Sequence, residues 1–265
     1  MNMTINPTST VRELVTTMPE ATRIFERLGI DYCCGGSRTL AAACEVAGVS
    51  PEEAVRLLEE LGAAGATDEA LPDWRQESLA ALIAHITDQH HQFTRYELDR
   101  LTPLLSRVCA VHGRNHSELA RLRELFTELK EELTTHLLKE EQVLFPWVVR
   151  MEEAVSAGRP VPPPFFRTVN NPVRMMMTEH DHAGDLLRLM REVTDGYRLP
   201  ADACFSYGAL YQGLEALEAD LHQHIHLENN LLFPRAIEME NQAASAWQGT
   251  NAGDCAHHCF SHPQA

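Results

Sequence analysis

Along most of this chain apolar residues return every three to four positions, the stripe of a helix with one buried face. Near the start they fall at Val11, Leu14, Val15 and again at Ile24, Phe25, Leu28. Helix-start signals stand at Thr10 and at Ser50-Pro51-Glu52-Glu53. A small helical domain is therefore expected over residues 1–61. The pattern lapses over 62–76, which reads as a linker. Four longer helical stretches follow, at about 77–108, 115–154, 172–195 and 201–241, and a break rich in proline and glycine at 156–172 divides them into two hairpins. No strand-like alternation competes. The expected fold is all-α: an up-down four-helix bundle over 77–241, preceded by the small helical domain. The tail, 242–265, has no apolar periodicity.

The two hairpins share a phrase. The first reads His136-Leu-Leu-Lys-Glu140 and then Leu144-Phe145-Pro146; the second reads His224-Ile-His-Leu-Glu228 and then Leu232-Phe233-Pro234. Residues four apart on a helix are offset by only about 40° around its axis, so each His and Glu share a face. The spacing from His91 to His136 nearly equals that from His180 to His224. One His-x-x-x-Glu is weak evidence, because such pairs usually sit on a solvated face; its repetition before the same Leu-Phe-Pro marks a duplicated unit. Four imidazoles and two carboxylates without cysteine suit iron or manganese better than a structural zinc. Each carboxylate has two oxygens and can span a pair of ions.

Rivals stand close by. His90 competes with His91, and His182 with His180. His222 and His226 form a second His-x-x-x pair, about 200° around the helix from His224, and are expected on a hydrated outer face. Glu132, one turn before His136, and Glu179, beside His180, are candidates to orient imidazoles or carry protons. His85, His112 and His116 read as surface or packing histidines.

The formal net charge is −16 with no long basic run, so nucleic acid and anionic membranes are poor partners. No apolar run is long enough to span a bilayer, and the first residues lack the features of a signal peptide, so a cytoplasmic location is expected. The seven cysteines are expected to be reduced. Adjacent Cys33 and Cys34, followed by Gly35-Gly36, are read either as reactive thiols, their pKa lowered by a helix starting near Ser37, or as a buried pair in a tight turn. Cys44, Cys109 and Cys204 read as core residues. In the tail, Cys255, His257, His258, Cys259 and His262 offer zinc or iron donors in no known finger spacing.

Asp31-Tyr-Cys-Cys-Gly-Gly36, the two ligand phrases through Pro146 and Pro234, and Thr178-Glu-His-Asp181 together resemble the di-iron repair-of-iron-centres family (YtfE/ScdA type) over about residues 10–240. The resemblance implies a hemerythrin-like bundle with two non-haem iron ions, oxo- and carboxylate-bridged. Its ligand positions fall on His91, His136, Glu140, His180, His224 and Glu228, with carboxylates nearby at Glu132 and Glu179. It favours functional thiols at Cys33 and Cys34. It also implies repair of iron–sulfur clusters after nitrosative or oxidative stress by supply of iron, with iron–sulfur proteins as transient partners. Nitric oxide is a further implied ligand, and its reduction to nitrous oxide is the alternative reading. A hemerythrin-type oxygen carrier fits less well, since such carriers use an asymmetric, histidine-richer set. The chain is expected to be a monomer or a homodimer.

Overall fold

The computed structural model describes residues 5–64, 72–161 and 163–254, so the tail donors Cys255, His257, His258, Cys259 and His262 lie outside the described residues. Among those residues the chain is helical, with one isolated bridge between Thr10 and Thr39. No helix there is long and apolar enough to cross a membrane.

The N-terminal unit has four short helices: α1 Val11–Thr17, α2 Ala21–Leu28, α3 Leu40–Ala47 and α4 Pro51–Ala64. Thr10 and Glu13 cap α1 reciprocally, each side chain taking a backbone N–H of the other. Gly29 ends α2 in the left-handed region, where a Cβ would strain the backbone. Val11, Phe25, Leu40 and Leu58 form the centre of a core that Ile225 of the bundle completes.

Four long helices build the bundle. We label residues 79–112 α5, residues 118–156 α6, Asn170–Val193 α7 and residues 205–254 α8. Three of them widen into a π turn: Ile86–His91 in α5, Glu140–Leu144 in α6 and Leu227–Leu232 in α8. The repeated Leu-Phe-Pro accounts for two of these. Pro146 and Pro234 have no N–H to donate, and their rings crowd the carbonyl four residues back, so the helix opens in the turn before each. The π turn of α5 has no proline behind it. Helix starts are capped from across the bundle. Glu152 of α6 accepts from the N–H groups of Leu79 (2.7 Å) and Ala80 (2.8 Å), and Glu240 of α8 accepts from that of Val169 (2.9 Å).

α5 packs on α8 and α6 on α7. The bundle interior has two apolar parts. One, around Leu101, Leu122, Leu187 and Leu214, fills the end bearing the hairpin turns; the other, around Ile86, Val148, Val173 and Phe233, fills the opposite end. Between them lies a polar layer in which His91, His136, Glu140, His180, His224 and Glu228 are all buried.

The N-terminal unit docks on α7 and α8 at the level of this layer. Arg12 Nε donates to Asn230 Oδ1 (2.8 Å), and Asn230 Nδ2 donates to the Tyr32 carbonyl (2.9 Å). Gln223 donates to the Tyr32 hydroxyl (2.8 Å). Gly36 is needed for this approach, because a Cβ there would come within 2.5 Å of Asn230 Oδ1.

Candidate metal centre

The six residues form two groups of four that share both glutamates. His91 and His224 lie with Glu140 and Glu228, as do His136 and His180, the donor atoms of each group all within 4.8 Å of one another. The imidazole pairs follow the helix pairs. His91 Nε2 is 3.1 Å from His224 Nε2, and His180 Nε2 is 3.0 Å from His136 Nε2. Each carboxylate divides its oxygens. Glu140 turns Oε2 toward His91 (3.5 Å) and Oε1 toward His136 (3.3 Å); Glu228 turns Oε1 toward His224 (3.2 Å) and Oε2 toward His180 (3.1 Å).

All four of these carboxylate oxygens are buried without a partner in hydrogen-bond alignment. Two such anions at full burial cost several kcal/mol unless positive charge compensates them. Two of the imidazoles register the same field, whereas burial lowers His224. Burial alone would lower His136, yet the charge of Glu140 and the bond to Glu179 hold it up at about 10. His91 is likewise raised against burial, chiefly by Glu140. The layer favours cations, and its oxygen and nitrogen donors fit iron.

Three of the four rings are oriented by a partner on Nδ1. His91 Nδ1 donates to Glu141 (2.7 Å), His136 Nδ1 to Glu179 (2.8 Å) and His180 Nδ1 to Asn229 Oδ1 (3.0 Å). A proton held on Nδ1 leaves the Nε2 lone pair free for a metal. His224 Nδ1 has no partner among the described residues. The hydrogen bonds from His136 and Lys139 hold the Glu179 carboxyl down at about 2, so it accepts rather than donates.

Residues 81–236 match the family model described as the hemerythrin HHE cation binding domain, and residues 7–62 match that of a domain of unknown function, DUF542, named ScdA_N. An iron-sulfur cluster repair protein YtfE from Enterobacter sp. (strain 638) is 37% identical over 228 residues, 86% of this chain and 96% of that protein. Its namesake from Shigella boydii is 36% identical over the same shares. The chain belongs to the YtfE/ScdA family. Its bundle is hemerythrin-like, and the small helical unit that the family adds in front is the one docked over the polar layer.

Several expectations need correction. Glu132 does not orient a ligand ring; it lies 3.0 Å from His182 at the exposed surface, and Glu179 takes the Nδ1 edge of His136 instead. His226 is not hydrated. The N-terminal unit covers it, the Tyr32 ring lies 5.6 Å away, Asn230 donates to its Nδ1 (2.9 Å), and burial pushes it down to about 4. His90 is also buried, 2.9 Å from Asp220, and stacks on His224. The thiols do not stand at a helix start, since α3 begins only at Leu40 behind Thr39. Asp31 caps the Cys33 and Cys34 amides instead, and the contact with Cys34, burial and the Asp31 charge push the Cys33 thiol up, not down. Cys34 is half-buried, with Sγ 3.7 Å from the His180 carbonyl. Cys204 is exposed at the start of α8 because it precedes the first turn that faces the core.

Sequence reasoning missed Glu141 and Asn229. The signal was available: in both copies the residue after the ligand glutamate holds the upstream histidine of its own hairpin.

Proposed function

We propose that the polar layer holds two iron ions, one in each histidine pair, bridged by Glu140 and Glu228, and that the protein repairs damaged iron–sulfur clusters by supplying iron. The observation that carries this reading is the division of each carboxylate between the two pairs. Paired iron supplies redox-active Lewis acid chemistry when bound. The chain's own residues supply the rest. Glu141, Glu179 and Asn229 aim three imidazoles, the two apolar cores exclude water above and below, and the carboxylates hold charge that suits divalent or trivalent cations. The relatives' name supports cluster repair, with a transiently bound cluster protein as the partner. The Cys33-Cys34 loop lies over His180, with Cys34 Sγ 3.7 Å from its carbonyl, beside the polar layer.

Glu179 supports orientation more than proton delivery, because its carboxyl is ionised far below neutral pH. Nitric oxide reduction therefore gains no separate support from this geometry.

The test starts with iron content and the visible spectrum of the air-purified protein beside His136→Ala. Two irons per chain with a bridged-iron charge-transfer band, both lost in the variant, are expected. Transfer of iron to an apo-cluster protein should then be lost in Glu140→Leu and Glu228→Leu. Equal transfer by those variants would overturn the repair reading.

A further inference from the structure

At the end of the bundle that bears the hairpin turns, about 30 Å along α5 from His91 at 1.5 Å per residue, a second set of metal-type donors converges. His112 closes α5, His116 stands in the α5–α6 turn, and Asp202 and Cys204 lie in the segment that leads into α8. His112 Nε2 is 3.2 Å from Cys204 Sγ, and His116 Nε2 is 2.9 Å from Asp202 Oδ1. His112, His116 and Asp202 each bring a donor atom within 4.8 Å of the others.

Both rings are held in place. They pack on the fully buried Tyr207, with centroids at 5.2 Å from His112 and 5.6 Å from His116. His116 Nδ1 is 3.0 Å from Glu118, whose same oxygen lies 3.5 Å from the Tyr207 hydroxyl. A carboxylate on Nδ1 with Nε2 turned to other donors is the arrangement by which metal-bound histidines are oriented. The central layer uses it at His91 and His136.

We propose that His112, His116, Asp202 and Cys204 form a second metal site for a single borderline divalent cation of the zinc type. Two imidazoles and one carboxylate converge, and Cys204, whose Sγ lies 3.2 Å from His112 Nε2 but outside that group of three, would swing in as the fourth donor of a tetrahedral set. Donors at 2.0–2.3 Å from a tetrahedral ion stand about 3.3–3.8 Å apart; two separations here are 2.9 Å and 3.2 Å, the group of three lies within 4.8 Å, and turns of the exposed Asp202 and Cys204 side chains would bring the four donors to that spacing. The site differs from the central one in having a sulfur donor and no shared carboxylate. Its ligands come from both hairpins, so its role is to clamp the α5–α6 turn to the α7–α8 connection.

Cobalt(II) is the probe, added to the full-length iron-loaded protein. Thiolate coordination gives a near-ultraviolet charge-transfer band that the cysteine-free central layer cannot produce. One equivalent of cobalt with that band is expected, displaced by zinc. The band should vanish in Cys204→Ser, with iron content unchanged, and cobalt affinity should fall at least tenfold in His112→Ala. It should persist in Cys33→Ser/Cys34→Ser and in Cys255→Ser/Cys259→Ser. Absence of the band, its survival in Cys204→Ser, or its loss in either double variant alone would overturn the proposal, leaving the four residues as a metal-free pair of hydrogen bonds.

Discussion

The two hairpins carry the same ligand phrase but differ at the residue that follows its glutamate. In the first copy this is Glu141, which holds His91, pairs with Arg95 at 2.9 Å and is partly exposed. In the second it is Asn229, which holds His180 and is buried under the N-terminal unit. The environment explains the exchange. Asn229 must accept from His180 and also donate to the Cys33 carbonyl, at 3.2 Å. A carboxylate can accept but has no proton to give. Where one side faces solvent an acid suffices; where both sides are protein, an amide satisfies both. The duplicated unit thus has one tethering residue that reaches water and one adapted to a lid.

Asn229→Ala should break this comparison most deeply. It removes two buried hydrogen bonds, costing about 2–3 kcal/mol of unfolding free energy, and also lowers metal affinity by roughly 10- to 100-fold. Denaturant unfolding and iron retention against a chelator measure the two effects. Asn230→Ala should separate them. It frees Arg12, the Tyr32 carbonyl and His226, so we expect a loss of about 2 kcal/mol, faster hydrogen exchange across α1 to α4, and unchanged iron content.

Glu141→Ala should do the opposite. Iron retention falls roughly 10- to 100-fold, while unfolding changes by less than about 1 kcal/mol because the side chain is partly solvated. Proton competition comes next. With His136 held at about 10, metal binding near neutral pH must displace its proton, so affinity should rise with pH, by about tenfold per unit for one proton. Chelator competition between pH 6 and 8 reads the slope, and a flat profile would show that His136 is neutral before loading. The smallest effect is expected for Glu141→Asn, which gives the first copy the second copy's residue. An amide oxygen still accepts from His91, so retention should stay within a few-fold of the parent.

Much of the bundle was legible because its signals are local or repeated. Helical periodicity marked the long helices, and the duplicated phrase pointed to six residues that the fold brings into one layer. What lay hidden depends on one element covering another. His226 looks solvated on an isolated helix and becomes buried only when Tyr32 docks over it. Glu132 sits one turn from His136 in sequence, yet its side chain leaves toward His182. The thiol environment at Cys33 follows from its contact with Cys34 and its burial, with the Asp31 charge adding to both, in a turn where Asp31 folds back over two amides. Asn229 and Glu141 escaped notice because they differ in residue type, although they occupy equivalent places and serve equivalent rings.

The free Nδ1 edge of His224 has a consequence in time. His224 is held by packing against His90 and His91 without a hydrogen bond on Nδ1 among the described residues, whereas His91, His136 and His180 are each tethered there. If two ions bind as proposed, the His91–His224 half is expected to release its ion first. Under the proposed di-iron reading, iron would then leave one ion at a time, the firmer half keeping the layer in shape.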